Sequence, residues 1–223
     1  MFTLINQILY NGLMKTLLSW FLYFVIYSII GWIFETIYVS LRLKKFTPRG
    51  FLFGPYCPIY GIGAVLSAAI CIALDLHWYG GFIAILIASS LLELFASYIL
   101  EKIFKVRWWD YERYKFNLNG RIALIPSLGL AIVGTIAIYG LMAFLMMMTE
   151  GMSILSLLVI DIIAAVIMLT DFIVTIFPLV KVKNIFDRDN VDRTAEIRKY
   201  KVKYYKKPQR KKRKEARKAK RKN

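Results

Sequence analysis

The sequence WFLYFVIYSIIGWIFETIYV, residues 20–39, decides the fold class, because Glu35 is the single charged residue among these twenty. About 20 apolar residues in a helix are enough to cross the hydrocarbon core of a bilayer. The whole chain follows this pattern, since 58% of its 223 residues are hydrophobic and its mean hydropathy is +0.53. This composition predicts an integral membrane protein that crosses the membrane several times.

Apolar windows of this length predict an all-α fold with five membrane-spanning helices. The windows cover residues 16–41, 54–75, 80–103, 121–148 and 152–180. We expect three regions: an interfacial N-terminal segment (1–15), a five-helix transmembrane domain (16–180) and a basic cytoplasmic tail (181–223).

Charges in the connecting segments predict the orientation of the helices. Residues 42–53 carry four basic residues and no acid, and residues 102–121 carry six basic residues against two acids. Loops rich in Lys and Arg stay on the cytoplasmic side. We therefore expect a protein of the cytoplasmic membrane with its N-terminus outside and its C-terminus in the cytoplasm.

The tail, residues 181–223, holds 20 of the 31 basic residues and 5 of the 14 acidic ones. Such a run is disordered or partly helical in isolation. We expect it to bind the anionic lipid of the inner leaflet or, through phosphates, RNA.

Five carboxylates lie inside or at the ends of the apolar runs, all on spans one, three and five. They are Glu35, Glu93, Glu101, Asp161 and Asp171. An ionisable group at membrane depth is costly, so each one is a functional-site hypothesis. We expect Glu35, Glu93, Glu101 and Asp171 to line a cytoplasm-facing vestibule that binds an ion or a polar solute.

Pairing with basic residues at the cytoplasmic mouth is the alternative interpretation of these acids, chiefly for Glu35 and Glu101. The candidate partners are Arg49, Arg107 and Arg121. Asp161 lies near the outer end, where Lys15 is the one basic residue, so a neutral acid or a polar-lined cavity is favoured there.

Three prolines and four glycines fall within residues 48–63, where the second span begins. Both residue types interrupt helical hydrogen bonding, and irregular backbone at membrane depth must be buried in protein or line a cavity. We predict a re-entrant or kinked start to this span. The residues that produce it are Gly54, Pro55, Pro58 and Gly61. A tight loop that ends in helix start signals is the simpler alternative.

A second polar segment, residues 107–121, precedes the fourth span. Its Trp and Tyr residues are typical of a membrane interface. Asn119 can cap the following helix and Gly120 permits a turn. We expect this segment and the loop before span two to form a cytoplasmic cap over the vestibule.

Three separated blocks of the sequence resemble the putative ABC-transporter type IV family, the CmpB-like bacterial membrane proteins. The blocks are GWIFE (31–35), RGFLFGPYCPIYG (49–61) and LEKIFKVRWWDY (100–111) with FNLNGR (116–121). The resemblance covers about residues 17–180. It implies a multi-pass permease-type protein of an ABC transporter and transfers no substrate and no catalytic residue.

Chemical motifs in the sequence are few. A phosphate loop of the form GxxxxGK[ST] does not occur, so a transporter driven by ATP would need a separate ATPase subunit. We predict no enzyme activity, no catalytic residues, no cofactor and no metal site. Five spans are short for a permease, so a homodimer is possible. The alternative function is a membrane scaffold or insertion factor whose tail recruits its partner.

Overall fold

A computed structural model describes the backbone of residues 2–104 and 109–186, and the side chains of residues 10–41, 43–103 and 109–176. Within these ranges the chain forms five helices and one two-stranded hairpin. The helices are α1 (Phe2–Leu43), α2 (Pro58–Ala73), α3 (Trp78–Phe104), α4 (Leu124–Glu150) and α5 (Ile154–Phe186). The strands are β1 (Asn117–Leu118) and β2 (Ile122–Ala123).

Four of the helices are long and apolar enough to cross a membrane, as the hydropathy predicted. These segments are Tyr10–Leu41, Trp78–Ile103, Leu124–Glu150 and Ile154–Ile176. The second helix differs from its predicted range of 54–75, because α2 has 16 residues and is about 24 Å long, short of a 30 Å hydrocarbon core. The prolines and glycines before Pro58 leave the preceding segment non-helical.

The N-terminal segment is continuous with the first span. Helix α1 runs through residue 15, the end of the predicted interfacial segment, as one helix of 42 residues. Residues 2–15 contain no proline, and Gly12 alone does not interrupt a helix. The first span is therefore the inner part of a helix about 63 Å long.

The helices alternate in direction, so the bundle has two distinct ends. The loop end carries residues 44–57 and 109–123, whereas the turn end carries the short connections 74–77 and 151–153. At the turn end the Lys15 ammonium donates to the Glu150 carbonyl at 2.8 Å. Helix α1 packs against α2, α4 and α5, and α3 packs between α2 and α4.

The described core lies where α1, α2, α3 and α4 meet. Its buried members are Tyr23, Tyr27, Ala68, Cys71, Ile85, Ala131, Ile138, Met142 and Leu145. Two phenols cross-link α1 to α4, because the Tyr23 hydroxyl bonds to Thr149 at 2.5 Å and Tyr27 donates to the Ala137 carbonyl at 3.0 Å. The core is therefore held together by apolar packing and by hydrogen bonds between helices, for which the lipid hydrocarbon offers no substitute partners.

Two glycines allow α1 and α2 to approach closely. A Cβ at Gly31 would overlap the Tyr60 side chain, and a Cβ at Gly61 would overlap the Ser28 hydroxyl and the Phe24 carbonyl. Small residues at helix contacts give this kind of close approach in membrane proteins. The contact is reciprocal, so it fixes both the rotation and the depth of α2 along α1.

We expect Gly61→Ala to lower the free energy of unfolding in detergent by about 1–3 kcal/mol, because the added methyl group meets the backbone carbonyl of Phe24. The measurement is the midpoint of thermal unfolding of the purified protein. Gly140→Ala is the control, since a Cβ at Gly140 meets nothing within 4 Å and alanine favours a helix. Equal midpoints for the two variants would contradict the close contact.

The segment before α4 forms a hairpin instead of a helix cap. Asn119 and Gly120 have φ values of 51° and 67°, and the Arg121 amide donates to the Leu118 carbonyl at 2.9 Å, as in a type I′ turn. Strands β1 and β2 pair antiparallel on either side of it. Our assignment of Asn119 as a cap was wrong, because Ala123 occupies that position and makes no side-chain cap bond.

Candidate functional site

The segment between α1 and α2, residues 44–57, turns back at the end of α1 and runs down its side. Four hydrogen bonds join it to α1 residues spaced four apart: Thr47 N to Ser40 Oγ (2.9 Å), Arg49 N to Thr36 Oγ1 (3.2 Å), Trp32 Nε1 to Arg49 O (2.9 Å) and Cys57 N to Ser28 O (2.9 Å). Ser40 and Ser28 are about 18 Å apart along the helix. Helix α2 therefore begins well below the end of α1.

Asp171 of α5 fixes the lower part of this segment. Its carboxylate accepts hydrogen bonds from the Phe53 amide (3.0 Å), the Gly54 amide (2.7 Å), the Tyr56 hydroxyl (2.6 Å) and the Thr175 hydroxyl (3.1 Å). A carboxylate offers about four lone-pair positions, and these donors use them. Through these bonds Asp171 holds residues 53–56 against α5.

Tyr56 lies in the non-helical segment before α2, and its contact with Asp171 affects the pKa of its phenol. Burial, together with the hydrogen bond to Asp171, raises the pKa of Tyr56 well above its usual range. The phenol therefore stays protonated and remains a donor to the carboxylate over the physiological pH range.

The segment between α3 and α4 turns back in the same manner against α3. The Tyr111 hydroxyl donates to Glu93 Oε1 at 2.9 Å, and Arg121 Nη1 lies 3.0 Å from Ser97 Oγ and 2.6 Å from Glu101 Oε2. Glu93, Ser97 and Glu101 follow one another at intervals of four residues on one helix face. The Arg121 guanidinium also lies 3.8 Å from the centre of the Tyr98 ring.

The two returning segments meet at a loop-end polar cluster, which we define as Glu35, Arg49, Tyr60, Glu93 and Tyr111. Arg49 Nε forms an ion pair with Glu35 Oε1 at 2.9 Å. Tyr60, from the first turn of α2, interacts electrostatically with Glu35, Glu93 and Tyr111. Glu35 and Glu93 also interact with each other. The cluster thus joins α1, α2 and α3 through groups that can hold a charged or hydrogen-bonding ligand.

Tyr111 is a donor within this cluster. Burial and the adjacent Glu93 carboxylate hold the pKa of Tyr111 well above its usual range. The phenol is therefore neutral, and it supplies one hydrogen bond to Glu93 without compensating its charge.

The residues predicted as sites fall into three groups in the structure. Glu35 and Glu93 share the polar cluster, and Glu101 pairs with Arg121 further along α3. Asp171 holds the segment that includes Gly54. Pro55 lies in the non-helical stretch, Pro58 is the first residue of α2, and Gly61 faces α1. Arg107 lies outside the described residues.

The sequence analysis missed the aromatic members of the site. Tyr111 and Trp109 were interpreted as interface anchors, but Tyr111 binds Glu93 and the Trp109 indole donates to the Arg121 carbonyl at 2.8 Å. Tyr60 was not singled out. Tyr60 lies opposite Gly31, and this position could have been predicted only by knowing that α1 and α2 are in contact.

The described parts of the chain contain no group of three His, Cys, Asp or Glu side chains placed to hold a metal ion. The Cys57 and Cys71 side chains are both buried. Carboxylates, phenols and one guanidinium are thus the chemical groups that the polar cluster offers.

The long apolar helices, with polar segments folded in among them, define a polytopic membrane protein. The chain belongs to the putative ABC-transporter type IV family, whose sequence model matches residues 22–176. This range covers α1 from its middle to Ile176 of α5, and it includes both returning segments and every member of the polar cluster. No curated protein and no solved structure matches the sequence.

Proposed function

We propose that this chain is the membrane-spanning component of a transporter, that a separate subunit supplies ATP hydrolysis, and that the loop-end polar cluster binds a small polar or cationic solute. The observation that supports the solute site most directly is the convergence of two non-helical segments on Glu35 and Glu93. Each segment enters the bundle from the same end.

The interrupted second span supports a binding site at this place. Transporters commonly build their sites where a membrane helix is discontinuous, because unwound backbone and helix ends supply polar groups at membrane depth. Here residues 47–57 are non-helical and α2 starts at Pro58, beside the polar cluster. Gly61 keeps this start close to α1.

The charges of the cluster indicate the class of solute. Arg49 balances Glu35 at 2.9 Å, whereas Glu93 receives a neutral phenol, so the cluster carries one carboxylate in excess. A carboxylate inside a low-dielectric bundle attracts a cation strongly. A monovalent cation or a small amine therefore fits the cluster better than an anion does.

The ATPase subunit and the orientation belong to the same proposal. The family name supports an ABC-type transporter, and the 223 residues contain no phosphate loop. The basic residues of the two longer connections favour a cytoplasmic loop end. In this orientation the cluster faces the compartment in which an ATPase subunit would bind.

We expect Glu93→Gln to abolish the stabilisation of the protein by its cationic ligand. The probes are monovalent inorganic cations and small primary amines, added one at a time to the purified protein. A ligand at a hundred times its dissociation constant adds about 2.7 kcal/mol to stability, which appears as a clear rise in the unfolding temperature. The rise should vanish in the variant because the excess carboxylate is lost.

The matched control is Glu150→Gln, because Glu150 is an exposed carboxylate at the turn end of the bundle, opposite the polar cluster. This variant should keep the full response. A response that survives Glu93→Gln, or that none of the cations and amines produces, would overturn the assignment of the cluster. Purification of the tagged chain from its native membrane tests the ATPase subunit separately, since an ATPase should accompany it.

A further inference from the structure

Asp161 is a buried acid in the part of α5 near the turn end. Its exposure is 5%, and neither of its carboxyl oxygens has a hydrogen-bond partner in the described part of the chain. It lies seven residues, or about 10 Å, from Ile154, the first residue of α5. The loop-end polar cluster lies at the other end of the bundle and does not use this residue.

The other acids on the membrane helices are held by donors or cations. Glu35 pairs with Arg49, Glu101 with Arg121, and Glu93 accepts from Tyr111. Asp171, ten residues further along the same helix, has four donors. Asp161 thus differs from these four acids because its carboxyl oxygens have no hydrogen-bond partner among the described residues.

The elements packed against α5 do not supply a counter-charge at this level. Helix α5 packs against α1 and touches α3. On the turn-end half of α1 the ionisable groups are Tyr10, Lys15, Tyr23 and Tyr27, and on the first part of α3 there is Tyr79. Lys15 donates to the Glu150 carbonyl, Tyr23 bonds to Thr149 and Tyr27 donates to Ala137. Tyr10 and Tyr79 are exposed.

The free-energy cost of burying a charge determines the protonation state of Asp161. Burying an ionised carboxylate without a donor costs far more free energy than burying a neutral polar group does. The neutral acid also gains an O–H donor that can reach a backbone carbonyl of a neighbouring turn. Burial without partners is therefore compatible with the protonated form and opposes the ionised form.

We propose that Asp161 is a proton-binding site: the carboxylate takes one proton from a hydronium ion in the water at the turn end, which forms one O–H bond and leaves a water molecule, and the side chain is then buried as the neutral acid. Release of that proton restores the carboxylate and requires α5 to admit water or a cation at this level. The site is separate from the loop-end polar cluster and does not depend on the solute proposed there.

Infrared spectroscopy of the full chain in lipid nanodiscs at pH 7 tests this proposal. Exposed carboxyl groups are ionised at this pH, so the carbonyl stretch of neutral carboxylic acids comes from buried acids alone. We expect Asp161→Asn to remove one such band, and we expect the band to shift when the protein is transferred to D2O. Glu150→Gln, at an exposed position, should leave the band unchanged.

A second measurement uses the unaltered sequence in case the variant does not fold. Labelling aspartate with 13C at the side-chain carboxyl carbon should shift the neutral-acid band, which assigns the band to an aspartic acid and not to a glutamic acid. Absence of a label-sensitive neutral band at pH 7, or its persistence in folded Asp161→Asn, would overturn the proposal. A band that does not respond to D2O would refute exchange with water at the turn end.

Discussion

Replacing Asp171 by alanine should release residues 53–56 from α5 and destabilise the protein by about 3–5 kcal/mol, the largest loss that we expect from a single substitution. The change leaves two backbone amides and the Tyr56 hydroxyl without their acceptor. Each buried donor that loses its partner costs about 1–3 kcal/mol, and the losses are not additive because the segment can shift toward water.

Two readouts identify this effect. The unfolding midpoint in detergent should fall steeply, and Cys57, which is 4% exposed, should become reactive toward a maleimide in a Cys71→Ala background. Thr175→Val is the matched control, because it removes one hydroxyl donor from Asp171 and leaves the segment bound, at a cost of about 1 kcal/mol. An Asp171→Ala protein with an unreactive Cys57 would show that the segment is held by other contacts.

Substituting Arg121 by methionine should destabilise the protein by about 2–4 kcal/mol. The Arg121 side chain is 10% exposed and its partner Glu101 is 35% exposed, so the change removes the cation that lies beside a partly buried carboxylate. Breaking a buried ion pair costs about 3–5 kcal/mol, and the accessibility of Glu101 places this pair at or below that range. Loss of the cation over the Tyr98 ring adds to the effect.

The second substitution Glu101→Gln separates the charge effect from the packing effect. In the Arg121→Met background, neutralising the Glu101 carboxylate should recover part of the lost stability, as judged by the unfolding midpoint. Arg113→Gln, at an exposed position of the same segment, serves as the control and should change the midpoint little. No recovery in the double variant would mean that Arg121 acts through Ser97 and Tyr98 and not through Glu101.

Hydropathy predicted the four long spans because a bilayer demands about 20 apolar residues, whatever the helices touch. The same criterion extended α2 to residues 54–75, since Tyr56 and Cys57 are apolar. The backbone amides of Gly54 and Cys57 are instead bonded to Asp171 and to the Ser28 carbonyl. Sequence composition records how apolar a segment is but not which groups its amides will meet.

Some polar contacts of the site were predicted from the sequence and others were not. Arg49 and Arg121 were named as candidate partners because basic residues cluster beside the acids in the sequence, and the structure pairs them with Glu35 and Glu101. The bonds of Tyr111 to Glu93 and of Tyr56 to Asp171 were not foreseen, because each depends on a loop that folds back into the bundle. The Asn119–Gly120 pair was a recognisable hairpin signal that we assigned to a helix cap instead.

The shortness of α2 has a consequence for how the protein is made. Sixteen residues do not span a bilayer, so α2 is a poor substrate for insertion on its own. Four residues, 74–77, separate it from α3, which is long and apolar enough to cross the membrane. We therefore expect α2 to enter the bilayer together with α3 as a helical hairpin during synthesis, and we expect residues 53–56 to be fixed only after α5 has arrived with Asp171.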